Sequence, residues 1–346
     1  MAANDTHRYQ LSRKAGWDAF VNGSPRPDFA VLTLEEMAGL SDAELEDYNA
    51  ARDVWNTNPP TVRTHQLDAA YRIIEEVMAS NHRDSDKLRG SVVIDAEPSL
   101  GKTTIATRYA QKFHRTTYRR YGPTTADGHQ RLPVAFIPLT AGITLKGLNQ
   151  KLLEFYQHPA ARRGSRTELT SLAIDCVTSC ETRLIVIDDL HFIDFAHRNG
   201  TEVSNHLKGL ANELPVTFIY VGVGLREKQF FDEGMLGEAT SYAQTSRRAT
   251  RCPVVPFRID NDAGMRAWVM LLTTLERHYK LAAARPGMLT DHARLLHKRT
   301  QGRIGSLTNI LDRACYRAIM DGVECINADL LSAVSVDNAA LQASVA

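Results

Sequence analysis

Between residues 64 and 260, short apolar runs alternate with stretches whose apolar positions recur every three or four residues. The runs at 92–95, 134–139, 184–188, 216–221 and 254–257 are rich in Val, Ile and Phe, and they predict strands of a buried sheet. The segments 65–80, 102–115, 145–156, 169–180 and 202–214 predict helices. In the first, Leu67, Ala70, Ile73, Ile74 and Val77 fall at helical spacing. Such alternation predicts an α/β fold, a parallel five-stranded sheet flanked by helices on both faces. After Asp260 only helical spacing survives, at 263–278, 290–299, 305–321 and 328–334, and the last dozen residues read as frayed. Residues 1–60 differ again. Ser41 and Glu44 form a capping-box pattern whose helix runs towards Trp55, and Pro25, Pro27, Pro59 and Pro60 punctuate the region. The expected organisation is an N-terminal extension at 1–60, with one or two helices and mobile links, docking on the core or on a partner. An α/β core follows at 61–258, then a small helical domain at 259–346. Residues 122–131 read as a polar, exposed loop.

Two predicted strands end in residues with recognisable chemistry. The first runs into Ala96-Glu97-Pro98-Ser99-Leu100-Gly101-Lys102-Thr103-Thr104, where a helix opens. A loop at a helix N-terminus offers backbone N–H groups and a favourable dipole to phosphates. Ala96, Pro98, Ser99, Leu100, Gly101, Lys102, Thr103 and Thr104 are therefore the candidate nucleotide-binding residues. Gly101 lets the backbone approach the ligand. Lys102 would reach the β- and γ-oxygens, and Thr103 would place a hydroxyl on Mg²⁺. Ala96 stands where the usual pattern has its first glycine, so a surface turn is the competing reading. The third strand ends in Asp188-Asp189. Carboxylates there face the crevice in which open α/β sheets bind ligands. Asp188 would hold Mg²⁺, and Asp189 would orient or deprotonate an attacking water. Aspartate is one methylene shorter than the usual glutamate, so slow hydrolysis is expected.

Composition narrows the class. The chain has 346 residues and is 43% apolar, enough for one large or two to three smaller domains. It contains no run of eighteen apolar residues and no apolar signal segment, so no membrane span is expected. Five scattered cysteines without a Cys-x-x-Cys fit a reducing cytoplasm. Cys176 and Cys180 suit a packed helix face better than a zinc site. Net charge is +1, so any DNA binding must come from local patches. Arg115, Arg119 and Arg120 lie in a basic stretch interleaved with aromatics, and Lys146 and Lys151 lie on the next helix. All five are candidate contacts to DNA phosphates, with a solvated helix end as the alternative.

Together these features resemble the P-loop NTPases of AAA+ type, which carry a small helical lid domain. Within them the chain resembles the transposition ATPases of the TniB/TnsC type, relatives of MuB. Ile187-Asp188-Asp189-Leu190-His191 is similar to that group's Asp-Glu-x-His. The segment from Glu213 to Gly224 is similar to its fourth strand and the Val-Gly-x-Gly that follows. Gln244-Thr245-Ser246-Arg247-Arg248 is similar to its arginine-finger helix. The resemblance implies ATP as the nucleotide and a catalytic arginine, Arg248 or Arg247, donated by a neighbouring subunit, with Arg251 close by. Arg303 stands where a second sensor contacts γ-phosphate. Leu225 stands where a threonine is common, leaving the first sensor without a candidate. His191 is read as a strand-end cap, or as a contact to a phosphate-sensing network or a neighbouring subunit.

The expected function is that of an ATP-dependent AAA+ ATPase that oligomerises on double-stranded DNA as a ring or filament. It would regulate transposition by selecting target DNA and recruiting a transposase, with a TniQ-like targeting protein as a further partner. Two alternatives stand beside this: a signalling or defence switch ATPase without DNA binding, and a weakly hydrolysing nucleotide-bound scaffold.

Overall fold

The computed structural model describes residues 9–82, 89–193, 198–225 and 249–345. Five parallel strands form one sheet in the order β2-β3-β4-β1-β5. They are β1 (Ser91–Asp95), β2 (Val134–Pro138), β3 (Leu184–Asp188), β4 (Thr217–Gly222) and β5 (Ala249–Pro253). Every residue of β3 and β4 is buried, as expected for inner strands covered on both faces. The carboxyl ends of β1, β3 and β4, at Asp95, Asp188 and Gly222, lie at one end of the sheet.

The fifth strand lies earlier than 254–257. Only Cys252 is buried in β5, because an edge strand half open to solvent needs no apolar run. The apolar Val254 and Phe257 are buried for another reason: the chain there crosses to the helical domain, and Phe257 belongs to that domain's core. Pro253 ends the strand and Pro256 lies within the crossing, and neither can donate to a ladder.

The helices of the core are α4 (His65–Ser80), α5 (Lys102–Tyr121), α6 (Leu145–Phe155), α7 (Arg166–Ser179) and α8 (Arg198–Glu213). Helix α5 runs six residues beyond the expected 115, because Thr117 and Tyr118 still find buried or bonded partners. The helical domain holds α9 (Asp262–Glu276), α10 (Ala293–Thr300), α11 (Ile304–Met320), α12 (Ala328–Ala333) and α13 (Asn338–Val345) around buried Trp268, Leu272 and Leu311. The C-terminal segment is helical rather than frayed. Asp337 caps it by accepting from the Ala340 N–H at 3.0 Å, and it also binds Ser306 and Asn309 of α11.

The N-terminal region carries three helices, α1 (Lys14–Asn22), α2 (Leu34–Ala38) and α3 (Asp42–Asn56), and it packs against the rest of the chain in two places. Helix α1 buries Trp17, Phe20 and Val21 in the sheet's core; the Trp17 ring stacks on Phe136 of β2, and its Nε1 donates to His114 Nδ1 at 3.1 Å. Helix α3 packs on the helical domain. Trp55 Nε1 donates to the His278 carbonyl at 2.9 Å, and Asn56 bonds the backbone of Lys280. Ser41 and Glu44 form the capping box at its start.

Candidate nucleotide-binding site

The phosphate loop joins β1 to α5. Ser99 and Gly101 both have left-handed backbone, φ 61° and 79°. Glycine removes the steric cost of that geometry at the N-cap, and the turn directs the first N–H groups of α5 into the loop. The neighbouring strand steadies the loop's start, where the Ala96 N–H donates to the Gly222 carbonyl. Lys102 Nζ donates to the Glu97 carbonyl at 2.6 Å. Burial pulls the Lys102 ammonium below its usual range, and Asp188, Asp95 and Asp189 pull it back up.

Asp188 sits behind the loop and is buried. Burial raises its carboxyl, while the neighbouring Thr103 side chain and the hydrogen bond from the Asp189 N–H lower it. The fold thus places Thr103 beside Asp188. Two hard oxygen ligands beside a lysine fit a hydrated Mg²⁺. Asp189 has left-handed backbone (φ 58°), which starts the short 3₁₀ turn Leu190–Phe192 and leaves its carboxylate half exposed at the sheet edge. His191 Nδ1 lies 4.0 Å from that carboxylate. At the end of β4, Leu225 is fully buried, and a Cβ on Gly222 would meet it at 2.7 Å. Position 225 is therefore a packing position, and residues 221–225 carry no polar side chain.

The helical domain closes onto the loop through the start of α11. Arg303 is buried; its Nη1 donates to the Pro98 carbonyl at 3.0 Å and its Nη2 pairs with the Glu97 carboxylate. The Gly305 N–H donates to the Ser99 carbonyl at 2.8 Å. Beside the loop lies a cavity of about 220 Å³. Pro60 and Val62 of the connector before α4 form one wall, and Leu100, Thr104, Val254 and Ile304 form others. A mostly apolar slot of this size next to Gly101 suits a nucleobase. Sequence reasoning missed this slot and missed Glu97. Pro59-Pro60 reads only as punctuation in one dimension, although a proline pair is also a stiff, donor-free wall.

The remaining candidates are dispersed. Arg247 and Arg248 lie outside the described residues. Arg251 lies within β5, paired with Val93, rather than ahead of it. Arg115 is engaged within the chain, its Nε donating to the Val21 carbonyl at 2.7 Å. Arg119 and Arg120 are exposed at the far end of the 20-residue α5, about 30 Å from its start. Lys146 opens α6 on the phosphate-loop side of the sheet, with Lys151 about a turn and a half further on. These five residues do not form one patch. Cys176 and Cys180 belong to no metal-binding cluster among the described residues. None of the described helices is long and apolar enough to cross a membrane.

The family of bacterial TniB proteins matches residues 56–229. No curated protein matches the chain. Among solved structures, it is similar to the ORC1 protein of Aeropyrum pernix in complex with DNA, with TM-score 0.59 and 16% identity, over 80% of this chain and 67% of that one. The ORC2 protein of the same organism, in ADPNP–ADP complexes, gives TM-score 0.57 and 14% identity over 80% and 69%. Cdc6p of Pyrobaculum aerophilum gives 0.53 and 14% over 78% and 67%. The shared fold is that of the AAA+ ATPases.

Proposed function

The chain belongs to the family of bacterial TniB proteins, and from that premise we propose that it is a AAA+ ATPase that assembles on double-stranded DNA and regulates transposition. The observation that carries this reading is the convergence of Lys102, the Thr103–Asp188 pair and Arg303 on one loop. In this reading the N–H groups of 101–104 and Lys102 grip the phosphates, and the base fills the cavity beside Pro60 and Leu100. Thr103 and Asp188 hold Mg²⁺, which supplies charge neutralisation on the triphosphate. Asp189 positions water, and Arg303 contacts the γ-phosphate from the lid. A further arginine, Arg248 or Arg247, completes the site from the next protomer of a ring or filament.

DNA as a partner is supported by the family and by the similarity to the A. pernix ORC1 protein, whose structure contains DNA. Lys146 and Lys151, on the phosphate-loop side of the sheet, are the better-placed contacts, and Arg119 and Arg120 form a second patch at the far end of α5. A transposase and a TniQ-like targeting protein are the expected protein partners. Turnover is slow in this reading, because β4 ends without a polar side chain and Asp189 is short. Those two features also favour a second reading, a nucleotide-bound scaffold that hardly hydrolyses. Electron microscopy with ATP, Mg²⁺ and duplex DNA tests both. Assemblies that need nucleotide and DNA and vanish in Lys102→Ala support the first reading. Assemblies that ignore DNA overturn it, and stable nucleotide-bound assemblies with no phosphate release point to the scaffold.

A further inference from the structure

Glu97 meets both cations of the phosphate site. Its carbonyl accepts from Lys102, and its carboxylate pairs with Arg303. The two partners differ in burial: the Glu97 side chain is 64% exposed and that of Arg303 only 8%. Arg303 is fixed from below by the Pro98 carbonyl, and its Nε has no hydrogen-bond partner among the described residues. The outward face of the guanidinium is therefore the one that Glu97 covers. Carboxylate and phosphate oxygens compete for the same fork of donors.

The geometry points to Glu97 as a specificity-determining residue. It occupies Arg303 in the nucleotide-free chain, a γ-phosphate must displace it, and it thereby lowers the site's preference for a nucleoside triphosphate over a diphosphate. This rests on the reading of Arg303 as the γ-phosphate contact. A diphosphate does not reach Arg303 and leaves the Glu97–Arg303 pair intact. A triphosphate exchanges one charge-assisted pair for another, so part of its gain is cancelled. Plain repulsion by the carboxylate would weaken both nucleotides and would persist without Arg303.

The test is titration calorimetry of ADP and of the imido analogue of ATP, with Mg²⁺, on four full-length proteins: wild type, Glu97→Gln, Arg303→Ala and the double variant. Glutamine keeps the size and an acceptor oxygen, and the exposed position leaves folding intact, which a melting curve checks. Glu97→Gln is expected to tighten the analogue about 3–10-fold, with ADP changed less than about twofold. The double variant should behave like Arg303→Ala alone. Equal tightening of both nucleotides reduces Glu97 to a repulsive charge and overturns the proposal. Weaker analogue binding overturns it in the other direction, by making Glu97 a positioning residue for Arg303. If Arg303→Ala weakens the analogue but Glu97→Gln changes nothing, the Glu97 proposal fails alone. If Arg303→Ala binds the analogue as tightly as wild type, or if wild type binds no nucleotide, the Arg303 reading fails with it.

Discussion

Arg52 of α3 is fully buried and grips Glu324 of the helical domain through both carboxylate oxygens, at 2.7 and 2.8 Å. Glu324 in turn accepts from the Ala282 N–H at 3.0 Å. A buried pair of this kind contributes little beyond an apolar replacement, yet losing one partner strands a charge. Arg52→Met should therefore destabilise the protein by about 3–5 kcal/mol, and joint replacement of Arg52 and Glu324 by Met should restore most of the loss. Urea denaturation of the single and double variants measures both.

His114 gives the fold a pH dependence. Burial, with a smaller push from Arg115, lowers its imidazole to about 4. In the unfolded chain the same group titrates at about 6.5. Below that pH the unfolded state takes up a proton that the folded state refuses. Stability present above ~6.5 is thus lost as pH falls to about 4, by an amount of order 3 kcal/mol. Because Trp17 Nε1 donates to His114, its indole reports the change. Thermal melts between pH 7 and pH 4 should show the slope, and His114→Gln should flatten it.

Lys102 and Asp189 separate binding from chemistry. Lys102→Ala should weaken ATP binding about 10–100-fold, the size of a lost charge-assisted contact. Asp189→Asn should leave affinity near wild type and lower phosphate release, whereas Asp189→Glu should raise release by extending the carboxylate. Nucleotide titrations and single-turnover phosphate assays distinguish the three variants. Unchanged release in Asp189→Asn would remove that residue from the mechanism.

Gly305 sets how closely the lid meets the loop. A Cβ there would lie 2.9 Å from the Ser99 carbonyl oxygen, a backbone atom that cannot swing away. Alanine also raises helix propensity by about 1 kcal/mol. Gly305→Ala should therefore keep the melting temperature near wild type while weakening ATP analogue binding several-fold. Loss of stability without loss of binding would show that the contact serves packing alone.

The sequence is most legible where local pattern and chemistry coincide. The strand ending in Asp188 and the loop from Ala96 to Thr104 could be read because apolar runs and Gly-Lys-Thr are contiguous. The edge strand β5 escapes the pattern because it lacks an apolar run, with Thr250 and Arg251 exposed and only Cys252 buried, while the apolar Val254 and Phe257 serve the crossing to the helical domain. Trp17 gave no signal of its partner, since His114 lies 97 residues away. The Glu97–Arg303 contact spans 206 residues and joins two elements that each look complete alone. Contacts fixed by tertiary packing leave no periodic trace along the chain.

The connector at 57–64 leaves α3, which is fastened to the helical domain, and enters α4, whose Leu67, Ala70 and Ile74 are sunk in the sheet's core. Between those anchorages it forms one side of the 220 Å³ slot. A base seated there would act as a rivet through three plates at once: sheet, lid and N-terminal bracket. With the rivet in place the three should melt as one body. With it withdrawn, the bracket, the crossing at 254–257 and the Arg303 and Gly305 contacts are left to hold sheet and lid together, and the two should loosen at a lower temperature.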